Sequence, residues 1–176
     1  MKKFALAIMV AIISCPFFSF ASNAEDKLKK FSSDDKELNF FTGMFDWSDD
    51  KQASVLVGMQ HQNEELFMQT KSGIRISPIT GGFVTANNAF YVYTGIQSEF
   101  ELGAVTVTPS FAPGYYNQGS GKDLGHALEF KTEVQVSFDI LKDSHLGMYY
   151  NHISNASLGT KNPGANSYMF NFLKKF

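Results

Sequence analysis

Apolar and polar residues alternate in short runs along the chain from Leu38 onward, and turn-forming residues separate the runs. In the clearest run, apolar side chains take nearly every second position from Leu128 to Ile140, and polar or charged ones take most positions between. A period of two residues is that of a β-strand with one apolar face. The pattern predicts eight strands, at 38–47, 53–61, 65–77, 82–96, 100–112, 126–140, 145–155 and 166–176.

Alternation alone does not distinguish a soluble β-sandwich from a barrel in a membrane. Eight is an even number of strands, as in the smallest bacterial outer-membrane barrels. The last strand places Tyr168, Phe170 and Phe172 on one face, and the sequence stops on Phe176, which resembles the terminal assembly signal of such barrels. We therefore predict an all-β fold, an eight-stranded antiparallel transmembrane β-barrel.

The connections between the predicted strands differ in length and composition. Short polar turns at 49–51, 98–99 and 142–144 are predicted to face the periplasm. The stretches 113–125 and 156–165 are longer and rich in glycine, as the outward loops of such barrels tend to be. The upper end of the strand at 145–155 is then expected at the height of the outer leaflet.

The N-terminus has the features of a secretory signal peptide, with a basic start at Met1–Lys3 and an apolar run at Phe4–Ile13 that is too short to span a bilayer. Cleavage is expected after Ala24, and cleavage after Ala21 is the second choice. A lipoprotein signal at Cys15 is less favoured, because the chain stays apolar beyond it. The predicted organisation is a cleaved signal peptide at 1–24, a periplasmic lead-in at 25–36 and the barrel at 37–176.

Composition excludes several classes of partner. The net charge is −2 and no cluster of Lys and Arg is present, so we expect no nucleic-acid partner. No metal-ligand spacing, phosphate loop or nucleotide motif occurs, so no metal and no cofactor are expected. The only cysteine, Cys15, falls inside the predicted signal, so the mature chain has no thiol for disulfides.

Candidate chemistry lies near the end of the chain. His152 and Ser154 are two residues apart, so on a strand both side chains leave the same face, which also carries Tyr150 and Met148. Polar groups in a row that faces lipid are costly and usually functional. The spacing alone nevertheless favours a simpler interpretation, in which both are interfacial polar residues at the barrel rim.

A longer motif changes that balance. His152-x-Ser154-Asn155-Ala156, then Asn162-x-Gly164 and a final strand resemble the C-terminal signature of the PagL family of lipid A 3-O-deacylases, which are outer-membrane serine esterases. The resemblance extends more loosely upstream, through Gly95, a turn at 112–116 and Leu124-Gly125.

The resemblance implies a role for each residue of the motif. Ser154 would be the nucleophile and His152 its general base, and the Asn155 side chain with the Ser157 backbone N–H would form the oxyanion hole. Asn166 stands where the family's triad has a glutamate. A neutral amide can hold the imidazole but gives the imidazolium no charge, and exchanging a triad acid for its amide costs about 10⁴ in rate.

The resemblance also implies a setting. We expect the outer membrane of a Gram-negative bacterium, lipid A or lipopolysaccharide as substrate, and a site that faces the outer leaflet. The main alternative is a non-catalytic outer-membrane barrel that kept the fold and lost its triad acid at Asn166. A soluble periplasmic lipid-binding barrel is a third hypothesis. The sequence leaves open whether the barrel is a monomer or a homodimer.

Overall fold

A computed structural model describes residues 36–49, 51–63, 68–69, 74–141 and 144–175. The predicted signal peptide, all but the last residue of the predicted lead-in, and Phe176 lie outside these ranges. The described ranges form the antiparallel strands β1 (Lys36–Phe45), β2 (Ser54–Asn63), β3 (Met68–Gln69), β4 (Arg75–Thr85), β5 (Phe90–Leu102), β6 (Val105–Asn117), β7 (Leu128–Leu141), β8 (Ser144–Ser154) and β9 (Ala165–Lys175).

Eight long strands close into a ring. From β4 to β9 each strand pairs with the next, β9 pairs with β1, β1 with β2, and β2 with β4. The two-residue β3 pairs with the start of β4. Closure removes the unpaired strand edges that an open sheet would expose. The prediction of an eight-stranded antiparallel barrel is confirmed. In the part of the chain that the structure describes, no helix is long and apolar enough to cross a membrane.

The interior of the barrel combines buried polar side chains with aromatic and aliphatic ones. Lys131 Nζ lies 2.7 Å from Glu133 Oε1 and 3.9 Å from the centroid of the Tyr93 ring. Gln60 donates from Nε2 to Gln97 Oε1 over 3.1 Å in the same interior. A fully buried lysine is tolerated because it is paired in this way. The lumen therefore holds paired polar and charged side chains beside buried apolar ones such as Phe45 and Met169.

The outer wall is apolar. Its strands alternate exposed apolar residues with buried polar ones, the reverse of a soluble protein and the pattern of a transmembrane barrel. Exposed large apolar residues on the wall include Phe40, Val57, Met59, Val84, Val92, Phe111, Phe138, Leu146, Met148, Phe170 and Phe172. This wall disfavours the hypothesis of a soluble periplasmic barrel.

The predicted strand boundaries are wrong between 65 and 96. The prediction ended one strand at 77 and began the next at 82, whereas β4 runs unbroken from Arg75 to Thr85 and the chain turns at 86–89. Gly81 fell between the two predicted strands but lies within β4, as does Gly82. A Cβ on Gly81 would lie 2.7 Å from both Met59 O and the Tyr93 hydroxyl, so glycine here admits a large inward ring.

The predicted strand at 100–112 begins and ends too early, since β6 runs from Val105 to Asn117. The chain turns at 103–104, where Gly103 has a φ of +70°, and the predicted turn at 98–99 lies inside β5. The segment 112–116, expected to be a turn, lies inside β6.

One predicted turn lies at the wrong end of the barrel. The predicted turn at 49–51 was expected at the periplasmic end, but the connection between β1 and β2 contacts the loop at 118–127 through Asp46 and Lys122. It also contacts the last hairpin, because Trp47 N–H donates to Asn166 O over 3.1 Å. We call the end that carries the connections at 46–53, 86–89, 118–127 and 155–164 the loop end. Of the predicted turn at 142–144, residues 142 and 143 lie outside the described ranges.

Candidate active site

The paired strands β8 and β9 place His152 and Ser154 on the outer wall near the loop end. In β8 the odd-numbered residues from Gly147 to Ile153 are buried, while Leu146, Met148 and Tyr150 are exposed on the other face. His152 and Ser154 belong to this outward row, and both are half-buried. The orientation that the spacing indicated is therefore the one the barrel adopts.

His152 has a hydrogen-bond partner directly across the strand pair. Asn166 is its register partner on β9, and His152 Nδ1 lies 2.9 Å from Asn166 Oδ1. Because a carbonyl oxygen only accepts, Nδ1 carries the proton in this contact and Nε2 has a free lone pair. This is the tautomer that a general base requires. The other strand neighbour of His152 is Thr132, whose hydroxyl lies 3.5 Å from His152 O.

Ser154 lies one step further along the same row, opposite Phe130 of β7. Strand geometry puts the Cα atoms of His152 and Ser154 roughly 6.5–7 Å apart, a span that their side chains can bridge. Within the described residues, no hydrogen bond joins Ser154 to His152. Catalytic hydrogen bonds are often long or misaligned without substrate and tighten in the bound complex.

Gly164 forms one wall of the imidazole site. Its φ is +63°, and a Cβ placed on it would lie 2.7 Å from His152 Cε1 and 3.2 Å from Nε2. Glycine is needed here both for the left-handed backbone and for the space the ring occupies. The Asn162-Pro163-Gly164 segment, predicted to be only a turn, thus contacts the candidate base.

The two predicted oxyanion donors are engaged within the loops. Asn155 is fully buried and donates from Nδ2 to Leu124 O and to Lys161 O, each over 2.8 Å. The Ser157 backbone N–H donates to Asn155 Oδ1 over 2.9 Å. In this arrangement Asn155 joins two loops, and an oxyanion would have to displace one of these bonds. The oxyanion role of both residues stays a prediction.

The turn after Ser154 has an unusual backbone. Ala156 and Ser157 have φ values of 51° and 66°, and Leu158 N–H donates to Asn155 O over 3.0 Å. Positive φ at both central residues defines a type I′ turn, which favours glycine or asparagine. Ser157 therefore holds a backbone conformation that a glycine would adopt with less strain.

Two ion pairs tie the loops together around the site. Lys122 Nζ lies 2.6 Å from Asp46 Oδ2, and Lys161 Nζ lies 2.6 Å from Asp123 Oδ2. The hydrogen bond from Lys161 and a second from the Gly125 N–H lower the pKa of Asp123 below its ordinary value. Since the Asp123 pair is solvent-exposed, it orders the loops more than it stabilises the fold.

Sequence reasoning missed two residues that contact the candidate machinery. The Tyr150 hydroxyl donates to Asn166 Oδ1 over 3.2 Å, and Asn162 Oδ1 accepts from the Asn155 N–H over 3.0 Å. Strand parity gave a signal for Tyr150, since it shares the row of His152; nothing in the sequence indicated the contact of Asn162. Within the described ranges, no cluster of three His, Cys, Asp or Glu is placed to hold a metal.

Comparison with known proteins assigns the chain to a family. A family model for PagL, the lipid A 3-O-deacylase, matches residues 37–175. The chain belongs to the PagL family. No curated protein sequence matches it.

Solved structures agree in fold. The chain is similar to the crystal structure of the outer membrane enzyme PagL, with 15% identity and a TM-score of 0.59 over 78% of this chain and 98% of that chain. It is also similar to a de novo designed transmembrane β-barrel, with 9% identity and a TM-score of 0.54 over 84% of this chain and 99% of that one. At these identities the likeness to solved structures shows the fold alone, and the family assignment rests on the family model.

Proposed function

We propose that the protein is an outer-membrane serine esterase that removes a 3-O-linked acyl chain from lipid A in the outer leaflet. Ser154 is the nucleophile, His152 the general base and Asn166 the residue that orients it. The proposal is carried by one observation: His152 Nδ1 lies 2.9 Å from Asn166 Oδ1, on the outward row that also carries Ser154. In the neutral imidazole this contact puts the proton on Nδ1 and leaves Nε2 free to accept one. Membership of the PagL family supplies the substrate class.

The proposed reaction follows from these positions. His152 Nε2 takes the proton of Ser154 as Oγ attacks the ester carbonyl carbon, which gives a tetrahedral oxyanion. The intermediate collapses, the C–O bond to the sugar breaks, and the imidazolium protonates the departing sugar oxygen. A water molecule, deprotonated by His152, then attacks the acyl-enzyme and releases a fatty acid and free Ser154. The Asn166 carbonyl holds the ring in place through both steps.

The site's position on the outer wall suits a lipid ester. A water-soluble substrate would approach through the lumen or the loops, but this outward row ends in the exposed apolar residues Leu146, Met148 and Tyr150. Its loop end is expected at the outer surface, where the acyl esters of lipid A lie. Delivery there requires the predicted signal peptide at 1–24, which is part of the proposal.

The decisive experiment compares lipid A from cells that express the wild type, Ser154→Ala or His152→Asn. We expect the mass spectrum to show loss of one acyl chain with the wild type only. Ser98→Ala is a matched control, since Ser98 lies in β5 at the end of the barrel away from the loops and should leave the activity intact. Lipid A that the wild type leaves unchanged, while heat-modifiable gel mobility shows a folded barrel, would contradict the proposal.

The second candidate function is a non-catalytic barrel, and Asn166 is the observation that favours it. Without a carboxylate, the imidazolium formed during catalysis has no charged partner. Asn166→Glu separates the two candidates. If the wild type is inactive and this variant gains deacylation, the protein is a scaffold that lacks only its acid.

A further inference from the structure

An amide at the triad position has a difficulty that a carboxylate does not have. Either oxygen of a carboxylate accepts the proton on His152 Nδ1, whereas an amide accepts through one end and donates through the other. If the NH₂ of Asn166 faced the ring, Nδ1 would have to accept and the ring proton would sit on Nε2. His152 could not then take a proton from Ser154.

The structure shows the carbonyl end facing the ring, and it shows a second donor on the same atom. Asn166 Oδ1 accepts from His152 Nδ1 over 2.9 Å and from the Tyr150 hydroxyl over 3.2 Å. A carbonyl oxygen has two lone pairs, so both donors are accommodated. Tyr150 lies on β8 two residues before His152 and faces the same way.

Turning the amide over would affect the two partners differently. Imidazole adapts, because it exchanges tautomers and accepts from the NH₂ through Nδ1. The phenol also accepts from the NH₂, but its own proton then loses the acceptor it has now. The hydrogen bond from Tyr150 is therefore what separates the two orientations of Asn166. One neutral hydrogen bond shifts such an equilibrium roughly two- to twelve-fold.

We propose that Tyr150 is a positioning residue that fixes the amide orientation of Asn166 and, through it, the base-competent tautomer of His152. Its consequence for catalysis rests on the proposed function, whereas its consequence for the tautomer does not. Tyr150 thus supplies part of what the family's glutamate supplies, namely the orientation but not the charge.

The tautomer is measured directly. The barrel is produced with ¹⁵N-labelled histidine and refolded in detergent micelles, and long-range ¹H–¹⁵N spectra are recorded at about pH 8.5, where imidazole is neutral. The His152→Asn spectrum identifies the His152 signals among those of the four histidines. We expect mainly the Nδ1–H form in the wild type and a roughly two- to twelve-fold shift toward Nε2–H in Tyr150→Phe. Tyr168→Phe removes a phenol from the register neighbour of Tyr150 and should change nothing.

Kinetics provide a second arm. Tyr150→Phe should lower kcat roughly two- to twelve-fold in the wild-type background. In an Asn166→Asp background, Tyr150→Phe should change kcat by less than about twofold, because both oxygens of a carboxylate can accept from His152 Nδ1. A merely structural role for Tyr150 would give the same loss in both backgrounds.

The outcomes separate the inference from the proposed function. The expected tautomer shift in a protein that never deacylates lipid A supports the inference and contradicts the function. Deacylation by a protein whose tautomer ratio does not change in Tyr150→Phe overturns the inference and leaves the function standing. A wild type that is mainly in the Nε2–H form overturns the inference and the proposed role of His152 together.

Discussion

The contact between Asn166 and His152 orients the imidazole but places no negative charge beside it. Replacing Asn166 with aspartate adds that charge and should raise the deacylation rate. Aspartate has the shape of asparagine, and its oxygen can take the present position of Oδ1, 2.9 Å from His152 Nδ1. The Tyr150 hydroxyl would still donate to the same oxygen. The substitution therefore adds a negative charge and changes little else.

The expected gain follows from the charge that develops on His152. An imidazolium and a carboxylate about 4 Å apart attract by about 1 kcal/mol in water and about 4 kcal/mol at the effective dielectric of a protein surface. These energies correspond to roughly 5-fold and roughly 10³-fold in rate. His152 is half-buried at the outer wall, so we expect about 10²-fold. The gain should stay below the 10⁴ seen between triad acid and amide, because the correct tautomer is already present.

The assay uses purified barrels refolded in micelles with lipid A, and measures kcat and KM from the fatty acid released. Since the charge acts on the transition state, the gain should appear in kcat with KM nearly constant. Ser154→Ala in the Asn166→Asp background gives the uncatalysed baseline. A folded Asn166→Asp variant that is no faster than the wild type would refute this account of His152 and Asn166.

Three further predictions concern the loop end. Gly164→Ala should lower kcat by about 10²-fold, because the added methyl displaces the His152 imidazole. Gly103→Ala is the control and should keep full activity, since Gly103 has a similar positive φ but open space around it. Ser157→Gly should raise the unfolding free energy in vesicles by about 1 kcal/mol by relieving a left-handed backbone, and a lower urea midpoint would argue against that strain. The pKa of Asp123 is lowered by the hydrogen bond from Lys161, so the tie between the loops is present at neutral pH and is lost as the pH falls through that lowered value. Proteolysis of the loops should accordingly rise below about pH 4 and become pH-independent in Asp123→Asn.

Some parts of the fold follow from local pattern alone. The strands β7 and β8 were predicted within two residues of their ends, because apolar side chains alternate along β7 and polar turn residues separate the two strands. The same parity placed His152 and Ser154 on one outward face. Side-chain alternation is a backbone property, so one sequence is enough to predict it.

Other parts depend on contacts that no local pattern contains. Gly81 lies inside a strand because an inward Tyr93 ring needs the space, a fact set by the neighbouring strand and not by the glycine's own surroundings. Asn155 was assigned to the oxyanion, but its amide bonds to carbonyls of Leu124 and Lys161 on two separate loop segments. The partner of a polar side chain is set by tertiary structure, which local sequence spacing does not contain.

The pairing of β1 with β9, the first and last long strands, bears on when the candidate active site is assembled. Asn171 of β9 bonds to Asn39 of β1 across 132 positions of the chain, and Trp47, at the loop end of that pairing, donates to the backbone oxygen of Asn166. Before β1 and β9 have paired, Asn166 lacks the hydrogen bond that its backbone oxygen accepts from Trp47. On the proposed function, deacylation would therefore begin only once the first and last strands have paired.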